Sequence, residues 1–388
     1  MGNILDYLRW RGDLSFDVSP FNEIDSLVFT QLSFMDLHVV VKDGEFLTLC
    51  EIEKRFFKKY DKATFRLGIY FPAGMGELLS LAASSTRFCD VKLVDHEAVI
   101  DPENKIQFTA MTFLLPDKTL YIAYRGTDDT LFGWYESLSF GIYDETESHR
   151  MALRYFESTM QKRRFARVRV GGHSKGGHLA VYAVLKGNER YRRRILAVYN
   201  VDGPGFRGDL YQSEAYEALA SRFYSVTPEM SIIGSLLNGG GKTDVVKSDG
   251  KIIFQHDVFN WHIEGRSFVR LEKRCEDSIK IEKSIKGWLL KVNDKDRLKF
   301  LDALHRLLTS SGAKTISEIS EDKLNSAYQF GKTLLSFDKE TREVVSRAVM
   351  MLLRESMAVQ KQQKETAKQL KKGKKTSDPT AGSDGDMQ

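Results

Sequence analysis

Apolar and polar positions follow two rhythms along this chain, and the rhythm changes near residue 270. Before it, short apolar runs of strand length alternate with stretches of helical spacing. Runs 106–115 and 119–124 read as strands joined by a turn at Pro116-Asp117-Lys118. Run 167–171 is a strand that enters Gly172-His173-Ser174-Lys175-Gly176-Gly177. Beyond it Leu179, Val181, Tyr182, Val184 and Leu185 fall at helical spacing. Residues 195–201 are apolar except for Asn200, as in a strand buried on both faces of a parallel sheet. A helix at 213–219, a strand at 222–226 and, past Gly239-Gly240-Gly241, a strand at 252–254 follow. Helices are also predicted at 51–60, 77–85 and 147–161, and Ile24, Leu27, Val28, Leu32 and Met35 continue the turn at Ser19-Pro20 as a helix. This alternation predicts an α/β fold with a mostly parallel sheet flanked by helices.

After residue 270 only helical spacing remains, at 279–291, 295–308, 321–335 and 340–357. Asp294 and Asp338 suit N-caps and Gly312 a stop. Trp288, Leu289, Phe300, Leu301, Leu304, Leu307, Leu308, Val344, Val345, Val349 and Leu352 read as its core, with a lid or membrane-docking role as the alternative. Residues 358–388 lose the apolar stripe and predict a disordered Lys-rich tail. The expected organisation is a sheet domain at 1–270, an all-helical extension at 271–357 and a tail at 358–388.

Composition narrows the class. With 388 residues and 42% hydrophobic content, the chain can bury a large core. The net charge is +5, but residues 361–375 alone hold seven lysines and one glutamate, so the body is close to neutral. The clusters Lys162-Arg163-Arg164 and Arg192-Arg193-Arg194 follow predicted helices, where cations complement the helix dipole, so nucleic acid is not the expected partner. The basic tail leaves peripheral contact with an anionic membrane open. Three scattered cysteines, Cys50, Cys89 and Cys275, suggest neither a disulfide framework nor a zinc cluster. No basic-then-apolar start and no run of about 18 apolar residues is present, so a cytoplasmic setting is expected.

The candidate chemistry centres on Gly172-x-Ser174-x-Gly176. A serine at a sharp strand-to-helix turn needs neighbours without a Cβ, and the following helix presents free N–H groups to an anion. An early-strand loop should supply another N–H, and Arg125-Gly126-Thr127-Asp128-Asp129 offers Thr127. The same stretch also reads as a plain turn with Asp128 or Asp129 capping a helix. A nucleophilic serine needs a base, and the base needs an orienting carboxylate. His256, directly after predicted strand 252–254, is favoured over His262 and over His178 on the elbow helix. Asp202 and Glu229 both end strands between Ser174 and His256. The rigid Asp202-Gly203-Pro204-Gly205 turn favours Asp202, with Glu229 as the alternative acid.

Ala123-Tyr124-Arg125-Gly126-Thr127, Gly133-Trp134 and Gly172-His173-Ser174-Lys175-Gly176-Gly177 resemble the oxyanion and nucleophile motifs of fungal-type (class 3) lipases. Tyr7-Leu8-x-Trp10-Arg11-Gly12-Asp13, Pro20-Phe21-Asn22-Glu23, Gln107-Phe108, Asp202-Gly203-Pro204-Gly205 and Gln255-His256-Asp257 are similar to the Mbeg-like family of bacterial proteins, over residues 1 to about 265. The resemblance implies an α/β-hydrolase fold, a bacterial cytoplasmic setting and a second oxyanion donor at the Lys175 N–H. It implies no substrate. Lys175 stands where the lipase pattern has an apolar residue, and the lipase acid motif is absent near Pro228-Glu229. A cation at a helix start is disfavoured by the dipole. Lys175 therefore calls for a carboxylate (Asp128, Asp129 or Glu136) or an anionic substrate group. The combined expectation is a Ser174–His256–Asp202 hydrolase of small ester or lipid substrates, needing no metal or organic cofactor. The competing readings are a hydrolase-fold binding or scaffold protein and a tail-driven binder of anionic membrane or nucleic acid. Oligomeric state is left open.

Overall fold

The computed structural model describes residues 2–346 and 350, apart from residues 43, 63 and 69–73 and the side chains at 253, 284 and 287–291. The tail expected at 358–388, the apolar positions Trp288, Leu289, Val349 and Leu352, and most of the helix expected at 340–357 lie outside the described residues.

Nine strands form one sheet among the described residues. In sequence and in space they run β1 (Leu47–Thr48), β2 (Lys92–Asp101), β3 (Ile106–Leu114), β4 (Leu120–Tyr124), β5 (Val168–His173), β6 (Ile195–Val201), β7 (Phe223–Pro228) and β8 (Thr243–Val246). A small separate hairpin, β9 (Ile263–Glu264) with β10 (Ser267–Phe268), precedes the last sheet strand, β11 (Arg270–Leu271). Pairing is antiparallel from β1 to β4, parallel from β4 to β8, and antiparallel again between β8 and β11.

The two-residue period of the strands sorts side chains between two cores. On β4, Tyr121 and Ala123 face one core while Leu120, Ile122 and Tyr124 face the other. The first core is closed by α1 (Ile4–Arg11), α2 (Glu23–Leu32), α3 (Leu49–Lys59) and α4 (Met75–Ser84). Asn3, Asn22 and Thr48 cap the first three helices with their side chains. A buried Arg87–Asp25 pair, 2.5 Å apart, with the Tyr7 hydroxyl 2.8 Å from Asp25, joins α1 and α2 to the chain after α4. Past β4 comes α5 (Leu131–Ser139), and the second core is closed by α6 (Glu147–Lys162), α7 (Lys175–Lys186) and α8 (Glu214–Leu219). The architecture is α/β-hydrolase-like.

The sequence reading leaves α1, α5 and several short strands unannounced, and at two further places the physical reason is plain. β2 carries charged and half-exposed positions through most of its length, so its apolar pattern is too weak to announce it. The expected strand at 252–254 is a 3₁₀ turn, Ile252–His256, and the place beside β7 belongs to β8. Ile252 has φ +51°, which ends an extended run, and Ile252 and Phe254 are exposed rather than core.

Among the described residues, those after β11 form helices: α9 (Glu276–Lys291), α10 (Asp294–Thr309), α11 (Ile316–Glu321) and α12 (Lys323–Ser336). These helices belong to one compact unit that spans residues 1–337. Leu301 and Ala303 of α10 are buried, and α10 packs against α5, with Tyr135 Oη donating to Asp302 at 2.8 Å. The α10 cap is Asn293, which accepts from Asp296 N, and Asp294 is the first helical residue instead. In the second unit, from Asp338, the Asp338 carboxylate accepts from Thr341 N at 2.8 Å as an N-cap does. Among the described residues no helix is long and apolar enough to cross a membrane.

Candidate active site

Ser174 sits between β5 and α7 with φ +58° and ψ −127°, a conformation L residues rarely hold. The flanking glycines are forced by contact. A Cβ on Gly172 would lie 2.2 Å from the Gly176 carbonyl carbon, and one on Gly176 would lie 2.0 Å from the Tyr124 carbonyl oxygen. Only a Gly-x-Ser-x-Gly turn lets β5 pass so close to α7 and β4. The turn is pinned by Ser174 N donating to Val201 O at 2.9 Å, and Ser174 is half-buried.

His256 and Asp202 meet: His256 Nδ1 and Asp202 Oδ2 are 2.6 Å apart. Asp202 follows β6 with φ +47° and is buried. Its other oxygen accepts from Thr227 Oγ1 and Ser231 Oγ, each at 2.6 Å. Burial pushes this carboxyl up, but the hydrogen bonds and charge of His256, with the two hydroxyls, more than offset it and hold it below the usual carboxylate range. An ionised Asp202 requires Nδ1 to carry the proton, which leaves Nε2 as the basic nitrogen. The loop under His256 is anchored by Gln255, whose side chain accepts from Met230 N at 2.8 Å and whose carbonyl accepts from Trp261 Nε1 at 2.7 Å. Asp257 accepts from Phe259 N at 2.9 Å. Ser174 and His256 line one cavity without a direct hydrogen bond between them.

The other candidates lie elsewhere. Glu229 is at the end of β7 but does not reach His256; its carbonyl accepts from Cys275 N. His262 pairs with Asp249 at 2.7 Å. His178, on α7, is buried, with its Nε2 2.7 Å from the Nε2 of His149.

Thr127 and Lys175 line the same cavity, and among the described residues neither backbone N–H has a hydrogen-bond acceptor. The Thr127 hydroxyl is held 2.5 Å from Ser137 Oγ. Asp128 organises the loop by accepting from Thr130 N at 2.8 Å, and Thr130, not Asp128 or Asp129, caps α5. Asp129 reaches the helical extension: its carbonyl accepts from Ile316 N at 3.0 Å and its carboxylate from Ser317 N at 3.2 Å.

The Lys175 side chain turns away from the cavity and is 1% exposed. Its three protons go to Gln107 O at 2.5 Å, Gln107 Oε1 at 3.0 Å and Glu136 Oε2 at 2.9 Å. Glu136 also accepts from Gln107 N at 3.1 Å and from the Ser148 hydroxyl. The carboxylate account of Lys175 therefore holds with Glu136 as partner. No donor remains for a substrate head group.

Sequence reasoning missed the Thr227 and Ser231 hydroxyls on Asp202. It also missed the His173 ring, which packs against His256 with centroids 4.5 Å apart and the rings tilted by 34°. Burial, then the neighbouring His256 charge, pushes His173 down to about 3, so it is neutral beside the pair. The cavity itself encloses about 270 Å³ and is walled mainly by apolar side chains, among them Phe34, Trp134, Leu138, Phe140, Leu237 and Phe300.

Comparison with curated proteins finds no match. Among solved structures the chain is loosely similar to lipase II from Rhizopus niveus, at 16% identity over 42% of this chain and 69% of that one, with a TM-score of 0.34. The Rhizomucor miehei lipase–propeptide complex is similar at 14% identity over 63% and 81%, with a TM-score of 0.37. The Lip2 lipase of Yarrowia lipolytica is similar at 12% identity over 60% and 89%, with a TM-score of 0.35. A family model described as Mbeg1-like matches residues 82–306, more than half of the sequence, and the chain belongs to that Mbeg1-like family.

Proposed function

We propose that this protein is a serine hydrolase that cleaves an ester or acyl substrate. The observation that carries the reading is the 2.6 Å His256–Asp202 contact in a cavity whose wall also holds Ser174 at a strained elbow. Ser174 Oγ attacks the carbonyl carbon while His256 Nε2 takes its proton. Asp202 keeps the ring in the tautomer with Nδ1 protonated and stabilises the imidazolium. The carbonyl π electrons move to oxygen, and the Thr127 and Lys175 N–H groups receive the oxyanion. Collapse expels the alcohol, which leaves with the proton from His256. Water, activated by the same nitrogen, then releases the acid and restores Ser174. The apolar walls favour a hydrocarbon acyl group over a charged one. A panel of p-nitrophenyl esters tests this, with wild type turning over at least one of them and Ser174→Ala losing that turnover by orders of magnitude. Equal turnover by the Ser174→Ala protein would contradict the proposal.

A further inference from the structure

The cavity in front of Ser174 draws its walls from two parts of the chain. The sheet domain supplies residues such as Phe34, Leu138 and Phe140. The helical extension supplies Ile285 from α9 and Phe300 and Leu301 from α10. We infer that Ile285, Phe300 and Leu301 form one wall of an acyl-chain pocket and thereby set the length of chain it accepts, at about eight to ten carbons. This rests on the hydrolase reading for the bond that is cut, not for the shape of the pocket.

Size gives the length. An engineered apolar cavity of about 150 Å³ holds benzene, six carbons. The present cavity, at about 270 Å³, has room for roughly ten. Chemistry gives the class: most of the lining is aliphatic or aromatic, and the polar groups include Thr127, Ser174 and His256, where the carboxyl end of an acyl group would react.

Rigidity makes the wall a limit rather than a flap. α10 is fastened to the sheet domain by Tyr135 Oη donating to Asp302 at 2.8 Å and by Arg297 donating to Gly141 O at 3.2 Å. Leu131 N donates to Lys314 O at 2.9 Å, and Thr130 and Thr315 form an antiparallel bridge just past α10. Leu301 is buried and Phe300 half-buried, so trimming Phe300 enlarges the pocket at modest cost to the fold. The sheet domain supplies the chemistry, and the extension measures the substrate.

The pocket can be tested without turnover, in the full-length Ser174→Ala protein. Calorimetric titration with straight-chain carboxylates from butanoate to hexadecanoate should show affinity rising about fourfold per methylene and levelling at about eight to ten carbons. Adding Phe300→Ala should move that plateau about two or more carbons longer. Phe300→Leu should move it less in the same direction, and Phe300→Trp should shorten it. A plateau unmoved by all three, or no binding at any length, would overturn the inference. The same Phe300 variants in the wild-type background, assayed on p-nitrophenyl esters, separate the two readings. A chain-length plateau that shifts in binding, with no ester cleaved, would leave the pocket and remove the hydrolase. Ester cleavage with an optimum that Phe300 does not move would do the reverse.

Discussion

Lys175 Nζ lies 2.9 Å from Glu136 Oε2, both side chains almost wholly out of water, directly behind the nucleophile elbow. The pair ties α7 to α5 and, through Gln107, to β3. A buried pair contributes little net stability, but losing one partner strands a charge. Lys175→Met alone and Glu136→Leu alone should each cost about 3–5 kcal/mol in urea unfolding. The Lys175→Met/Glu136→Leu double variant should cost much less than the sum of the single losses. Strict additivity would show that the two groups do not act as a unit.

The acid assignment has its own test. Asp202→Asn should lower kcat by about 10⁴, because an amide there holds the imidazole in the wrong tautomer. Glu229→Gln, at a residue that makes no hydrogen bond to His256, should leave kcat within about twofold. If the two variants exchange places, Glu229 is the orienting carboxylate.

Asp129 links the loop of the proposed oxyanion donor Thr127 to α11 and does not line the cavity. Removing its carboxylate takes away the acceptor of the Ser317 N–H and loosens the turn that carries Thr127. Asp129→Ala should reduce kcat by about ten- to a hundredfold with KM changed little, the pattern of a displaced transition-state donor. A rise in KM at constant kcat would instead assign Asp129 to substrate binding.

Acid should unfold this protein early. Burial pushes His178 down to about 4, His173 to about 3 and His149 to about 2, so all three remain neutral in the folded state. In the unfolded chain each binds a proton near pH 6.5. The unfolded state therefore gains protons first, and stability is lost as pH falls from about 6.5 toward those lower values. At pH 5 the loss approaches ~2 kcal/mol per histidine, ~6 kcal/mol together, comparable to a whole domain's stability. Asp257 opposes this, since burial raises its carboxyl to about 6, but it is one group against three. Urea midpoints at pH 7 and pH 5 should show a large fall, and equal midpoints would mean that these rings take up protons alike in the folded and the unfolded chain.

Much of this site can be read from local sequence, because its backbone is forced by local sterics. The glycines at 172 and 176 announce a close approach, and Gly203-Pro204 announces the turn that holds Asp202. His256 can be placed beside Asp202 although the strand expected before it is a 3₁₀ turn. What decides its position is the Gln255 anchor to Met230 and Trp261, which no periodicity reveals. The partners of Lys175 come from residues 68 and 39 positions away, so the sequence can demand a carboxylate but not choose one. Phe300 and Leu301 read simply as core, since an apolar wall and an apolar core have the same spacing. β2 escapes notice because both of its faces are half-exposed or exposed beyond Val94 and its charged residues break the alternation.

The proposed role of Ser174 as a nucleophile activated by His256 can be checked by intact-mass measurement after incubation with an alkyl fluorophosphonate. One adduct per chain is expected, located at Ser174 by peptide mapping, strongly slowed in His256→Ala and absent in Ser174→Ala. An adduct that persists in the folded Ser174→Ala protein, or none in the wild type, would contradict it.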